Sequence, residues 1–235
     1  MRELFAVIAY IGTPCNQLQA DLVNGLPVLV SFAAYCPFLD TGGYMGSFDK
    51  LLLDSGAFSE LNSGVKVDLD AYLDWVQRFP WANAFAGLDD ISGDWKRSLR
   101  NYERGGFPTF HDTDPPELLA DLIPMARERG GWIGIGLMPP RTGRESFLRR
   151  TLDQIPSDLH VHGWALGRYA QLPRLDSFDS THAWREWVKI RQALGPWATS
   201  AECMRLAVLK VQRECRSLQV DKSNQTPELF AKGEA

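Results

Sequence analysis

The sequence predicts an α/β protein of the (β/α)8, TIM-type barrel class. Three observations carry this. Eight short apolar runs alternate with longer amphipathic segments. Several of these runs are continuously apolar, as in parallel strands covered on both faces. The 235 residues match the size at which such a barrel forms one domain. A doubly wound open sheet is the alternative, because the βα steps between residues 11 and 50 are irregular.

The expected strands are Leu4–Tyr10, Val28–Phe32, Leu51–Asp54, Ala84–Asp89, Phe107–Phe110, Trp132–Leu137, Leu159–Trp164 and Leu175–Asp179. The helices between them have readable starts and stops. Asp68 precedes "LDAYLDWVQRF", whose Leu69, Tyr72, Leu73, Val76 and Phe79 share a face, and Pro80 ends it. Asp114 precedes "PPELLADLIPMARERGG", where Pro124 predicts a kink or a break. Thr142 or Gly143 opens "RESFLRRTLDQI", and Ser180-Thr181 opens "HAWREWVKIRQAL", with an apolar stripe of Trp184, Trp187, Val188 and Leu194. "SAECMRLAVLKVQRECRSL" reads as a last helix on the outside. Residues 1–220 form the expected single domain, and 221–235 a polar tail.

Composition narrows the class further. Four dispersed cysteines, Cys15, Cys36, Cys203 and Cys215, lack CxxC spacing and point to reduced thiols in a cytoplasmic setting. "MRELFAVIAYIGTP" carries Glu3, lacks a small-residue cleavage site and is too short to span a membrane, so it reads as a first strand. The net charge of −4 gives no global signal for nucleic acid. A local basic face exists around "RTGRESFLRR", with Arg141 and Arg144 there and Arg168 further on, although a solvated helix face explains any one of them.

Polar residues recur where the apolar runs stop, which is where active sites of α/β sheets gather. In order they are Asp54, Asp89-Asp90, His111, Gly134 and Gly136 in "WIGIGLM", His160 and His162 in "DLHVHGW", and Asp179. Each has a plain structural explanation: an Asx-turn at Asp54, helix caps at Asp89, Asp90 or Asp179, hydrogen-bonded core positions for the histidines. The recurrence favours chemistry. One reading is a carboxylate pair acting on a glycosidic carbon, one Asp forming a covalent sugar and the other shuttling protons. The other is a metal-dependent hydrolase with His111, His160, His162 and Asp179 as ligands.

Between residues 50 and 185 the motifs resemble, in order, those of the tRNA-guanine transglycosylase superfamily. "LLLDSGAFS" resembles its Asp-Ser-Gly-Gly-Phe segment, "GLDD" its base-reading Phe-Asp-Glu, "IGIGLM" its Gly-Gly-Leu turn, and "SFDST" its nucleophile strand. "DSGAF" and "FDST" look more like the compact, phage and DNA-modification branch. The resemblance implies a (β/α)8 barrel that exchanges guanine in nucleic acid for a 7-deazaguanine such as 7-cyano-7-deazaguanine, with no cofactor. Asp179 would be the nucleophile and Asp54 the general acid/base. Asp89 would accept from the guanine edge, His111 would stand where the family has a Gln, and Gly134 and Gly136 would offer backbone to the heterocycle. Ser55 would contact the base or steady Asp54, Gly56 and His162 would complete the base-binding site, and a flat apolar wall could come from Phe58, Tyr35 or Trp164, for each of which a place in the core is the plain alternative. The family's tRNA enzymes carry a zinc site of three cysteines and a histidine in a C-terminal insertion, and no such cluster follows Asp179. This favours DNA over tRNA as the polymer, read with the nucleotide out of the stack. The electrostatic footprint would come from Arg141, Arg144 and Arg168 or from a partner protein. The setting would be cytoplasmic, a host's cytoplasm for a phage-encoded chain. A non-enzymatic nucleic-acid-binding protein is the remaining class.

Overall fold

The computed structural model describes residues 7–59, 64, 66–138, 144–169, 172–180, 182–195 and 198–223. Eight strands and seven longer helices follow one another along them. They alternate except between the second and third strands and between the seventh and eighth, where only short helical turns intervene, and after the eighth, where two helices follow. The strands are β1 (Ile8–Ile11), β2 (Pro27–Ser31), β3 (Lys50–Asp54), β4 (Ala84–Phe85), β5 (Thr109–His111), β6 (Trp132–Gly136), β7 (His160–Gly163) and β8 (Ser177–Ser180). The helices are α1 (Gln17–Val23), α2 (Leu69–Gln77), α3 (Trp95–Arg104), α4 (Leu118–Glu128), α5 (Glu145–Gln154), α6 (His182–Leu194) and α7 (Ser200–Ser223).

All ladders are parallel and the strand order is β4-β3-β2-β1-β8-β7-β6-β5. A doubly wound sheet would cross over after its first strands. Here every strand lies beside its neighbour in sequence and β1 pairs with β8, the order of a TIM-type sheet curled on itself. At the two edges Ala86 and Phe107 form a parallel bridge. The Phe107 N–H donates to the Phe85 carbonyl (3.0 Å) and the Gly87 N–H to the Phe107 carbonyl (2.9 Å).

Strand alternation sorts the side chains. Tyr10, Leu29, Leu52, Ala86 and Phe107, with Ile8, Ala84, Trp132 and Trp164, pack together inside the curl. Their neighbours in sequence face the helices: Ile11, Val28, Val30, Leu51 and Leu53 meet α1, α2, α6 and α7, and Ile133, Ile135 and Val161 meet α4 and α5. Four of these interior residues are aromatic, and small residues make room for them. A Cβ on Gly134 would sit 2.4 Å from Trp164 Nε1 and 2.5 Å from Thr109 Oγ1.

Several helix expectations need correction. Helix α3 is capped by Asp94, which accepts from the Arg97 N–H (3.1 Å), not by Asp89 or Asp90. Asp114 does not start α4, whose first residue is Leu118; it turns back to accept the His111 N–H (2.7 Å). Helix α4 runs unbroken through Pro124, which lies on the solvent face, where water can meet the Ala120 carbonyl left without its N–H partner, while Leu118, Leu119, Leu122 and Ala126 are buried. The stripe on α6 is narrower than expected: Val188 and Leu194 are exposed, and the buried positions include Glu186, held by Lys189 and Lys210. Thr142, Gly143 and Thr181 lie outside the described residues, as do 224–235 of the expected tail; α7 runs past residue 220 to Ser223. No described helix is long and apolar enough to cross a membrane.

Gly106 is where the two edges meet. Its φ is +80°, and a Cβ would lie 2.4 Å from the Gly87 nitrogen and 2.6 Å from the Ala86 carbonyl carbon. Backbone atoms cannot move aside as a side chain can, so Gly106→Ala is expected to destabilise the fold by about 2–4 kcal/mol. Gly25, with φ +71° and nothing within 4 Å of a Cβ, serves as control and should lose about 1 kcal/mol on the same change. Urea denaturation of both variants measures the difference, and equal losses would show that the edge junction is not constrained.

Candidate active site

The carboxyl ends of the strands open onto a cavity of about 290 Å³. Asp54 from the end of β3, Asp89 after β4, His111 from the end of β5, Gly136 from the end of β6 and Asp179 on β8 all line it, with Trp164, Phe58 and Ile91 as apolar wall. Register fixes the acids: Asp54 sits opposite Ser31 on β2, and Asp179 opposite Tyr10 on β1. The three carboxylates therefore converge from three separate strands.

Each is held differently. Asp54 Oδ2 accepts the Gly56 N–H (3.1 Å), so the Asx-turn is real and coexists with a place on the cavity wall. Burial pushes its carboxyl up to about 7; the Asp89 and Asp179 charges add to the rise, while the Ser31 hydroxyl and the Gly56 N–H oppose it. Asp89 pairs with His111, Oδ2 lying 3.1 Å from Nε2. The other ring nitrogen of His111 is 3.5 Å from Asp114 Oδ2. Burial works against a charged His111 ring, but the hydrogen bonds and charges of Asp114 and Asp89 outweigh it and raise the value to about 10. At neutral pH this ring is an imidazolium between two carboxylates. Asp179 Oδ1 accepts the Ala165 N–H (2.6 Å). Ala165 has φ +51°, an uncommon left-handed conformation for a residue other than glycine, and this aims the N–H at the carboxylate.

Other expected site residues stand elsewhere. Ser55 is buried behind Asp54, its hydroxyl accepting the Ala57 N–H (3.4 Å). Gly56 is required by packing and not by a ligand: its φ is +84°, and a Cβ would lie 2.4 Å from Ala33 Cβ. Gly134 makes room for Trp164, as above. Gly136 does line the cavity, and a Cβ there would strike His111 Cδ2 at 2.5 Å, so this glycine seats the imidazolium. His162 is fully buried beneath Trp164 and behind Asp179, out of reach of anything in the cavity. Tyr35 packs on Trp75 and Phe79 away from the site. Arg144 is drawn to the buried Asp112 (3.2 Å), which also accepts the Met138 N–H (2.8 Å) and so shapes the cavity rim. Arg141 and the side chain of Arg168 lie outside the described residues.

The ligand set considered for a metal does not converge. His160 stacks on Trp132 (3.7 Å between centroids), His162 is buried, and His111 is held by Asp89 and Asp114. Among the described residues no group of three or more His, Cys, Asp or Glu could hold a metal ion. The sequence offered no signal for Ala165 or Thr109, whose roles depend on neighbours distant in the chain; Asp114, read as a helix start, instead meets His111 three residues before it.

No family model matches the chain, and no curated protein matches it. Among solved structures, a Coccidioides immitis protein assigned as a fructose-1,6-biphosphate aldolase is similar with a TM-score of 0.56, at 12% identity over 92% of both chains. The YdjI aldolase of Escherichia coli K12 gives a TM-score of 0.41 at 11% identity over 94% of each chain. The first of these likenesses is one of fold.

The acids make the site pH-sensitive. From about pH 4 to 7 the folded chain holds a proton on Asp54 that the unfolded chain has lost, so stability falls as pH rises through this window. His111 contributes in full below its ordinary value of 6.5, and that contribution is lost as pH rises towards 10. Asp54→Asn keeps the shape and removes the charge. It is expected to be more stable than the parent at pH 8 by about 1–3 kcal/mol, with the gap closing near pH 4. Urea melts at pH 4, 6 and 8 check this; a variant weaker than the parent at pH 8 would mean that Asp54 is not strained by its charge.

Proposed function

We propose that this protein is an enzyme of the pentosyltransferase type, a nucleic-acid guanine transglycosylase that exchanges guanine for a 7-deazaguanine base, such as 7-cyano-7-deazaguanine, in DNA. The reading takes the curled sheet as a closed (β/α)8 barrel forming one domain over residues 1–220, with no zinc insertion and no cofactor. The observation that carries it is the convergence of Asp54, Asp89 and Asp179 on one cavity with an apolar wall, each held by different partners. The ordered motif resemblance between residues 50 and 185 supports the same assignment of roles.

Two displacements account for the three acids. Asp54, whose carboxyl titrates near 7, gives a proton to the departing guanine while an Asp179 oxygen bonds to C1′, where positive charge develops. The incoming base then displaces Asp179 and returns a proton to Asp54, so the anomeric configuration is kept. Asp89, paired with His111 at 3.1 Å, accepts from the donor-rich N1–H and N2–H₂ edge. Trp164 and Phe58 offer flat faces to a ring lifted out of the duplex.

Incubation with labelled guanine and either duplex DNA or tRNA tests the reading. Incorporation into DNA is expected, and incorporation into tRNA alone would move the substrate to the tRNA alternative. Asp179→Asn should lower exchange by about 10³-fold or more, and Asp54→Asn by about 10²-fold with the polymer still bound. Labelling of neither polymer, or parental exchange by Asp179→Asn, would overturn the proposal.

A further inference from the structure

A second string of polar groups runs through the interior beneath the cavity. His160 Nε2 lies 2.7 Å from the Ser177 hydroxyl oxygen, and the same oxygen lies 2.9 Å from His162 Nδ1. His162 Nε2 points at Asp179, 3.6 Å from Oδ1, a little beyond hydrogen-bond length. The His162 ring is wholly buried, edge-on to Trp164 (4.5 Å between centroids) and Tyr10 (5.9 Å). Its Nε2 has no hydrogen-bond partner among the described residues. Buried polar nitrogens are seldom left in that state without a reason.

A neutral His162 has one N–H to place, and its neighbours decide where. With the proton on Nδ1, the bare Nε2 lone pair would face the Asp179 carboxylate. With the proton on Nε2, Nδ1 accepts from the Ser177 O–H, and the Ser177 oxygen accepts in turn from His160 Nε2–H. Every group is then donor to acceptor, and a donor faces the acid. The single hydroxyl proton of Ser177 can serve only one ring, so both tautomers are set together. Burial pushes His160 down to about 3, which keeps that ring neutral.

We infer that His160, Ser177 and His162 form a relay that holds the His162 proton on Nε2 as a reserve donor for Asp179, and that this donor speeds release of the sugar from the enzyme. The second half rests on the reading of Asp179 as nucleophile. The Ala165 N–H and His162 Nε2 both address Oδ1, which leaves Oδ2 to bond C1′. In the sugar ester Oδ1 is the carbonyl oxygen. When the incoming base attacks, its ring nitrogen bonds to C1′, its proton passes to Asp54, and the C1′–Oδ2 electron pair returns to Asp179. The charge that spreads onto Oδ1 then meets two waiting donors. The same donors steady the free carboxylate and do nothing to hasten its attack, so the relay acts on breakdown of the ester more than on its formation. His160, Ser177 and His162 are positioning residues, since none touches the cavity.

Two measurements separate the parts. Histidine-¹⁵N NMR of the full chain, with His162 assigned by its loss in His162→Gln, reads the tautomer without any need for activity. A single N–H on Nε2 is expected, with Ser177→Ala shifting His162 to a mixture; an N–H on Nδ1, or on both nitrogens, overturns the relay. In single-turnover exchange, Ser177→Ala should slow ester breakdown by about 10- to 100-fold, so that the covalent adduct accumulates, with its formation and the KM for polymer unchanged. His162→Gln, whose amide can still donate, should come within about tenfold of the parent, and His162→Leu should not. Equal slowing of both half-reactions, or a change in KM alone, overturns the catalytic part. A parent protein that forms no adduct overturns the transglycosylase reading and leaves the tautomer result standing separately.

Discussion

Asp54, Asp89 and Asp179 reach one cavity from three strands, and the like charge they bring there must be held against its own repulsion in a partly buried site. The protein answers differently for each acid. Asp54 is allowed to take up a proton near neutral pH. Asp89 receives an imidazolium, itself anchored from behind by Asp114. Asp179 receives a backbone N–H from a residue in a strained conformation. Much of the surrounding structure follows from these three solutions.

Space is the second constraint, and it is linked to the first. An imidazolium at His111 needs room at the end of β5, and Gly136 on the neighbouring strand supplies it. Trp164 needs room one layer below, and Gly134 supplies that, while the Trp164 indole N–H donates to Thr109 Oγ1 (2.9 Å). Two glycines at alternate positions of one strand thus let two large rings lean across it. Both rings line the cavity, and it is burial there, with the charges of Asp89 and Asp179, that raises Asp54. The acids and the aromatic interior are parts of one arrangement, because neither the charge states nor the cavity shape would survive without the other.

The parallel ladder turns this into a fixed geometry. One residue of register slip on β3 or β8 would turn Asp54 or Asp179 outwards to the helices and bring a leucine or a phenylalanine inwards. The outward positions on these strands are Leu51, Leu53 and Phe178, so burial of apolar surface against the helices opposes such a slip. Stability at the outer face therefore holds the acids in place at the inner one.

The eight strands, their order in the chain and the acids at their ends could be read from the amino-acid sequence, because apolar periodicity and the residues that interrupt it are local properties. Asp54, Asp89, His111 and Asp179 were identifiable for the same reason: a charged group at the end of an apolar run is conspicuous without any knowledge of its neighbours. Only the tertiary structure decided what each residue faces. It placed Ser55, Gly56 and Gly134 in packing roles, drew Arg144 to Asp112 and buried His162 behind Asp179. Those outcomes depend on which strands become neighbours and on which rings compete for the same volume, and a linear chain does not encode either at the position where it takes effect.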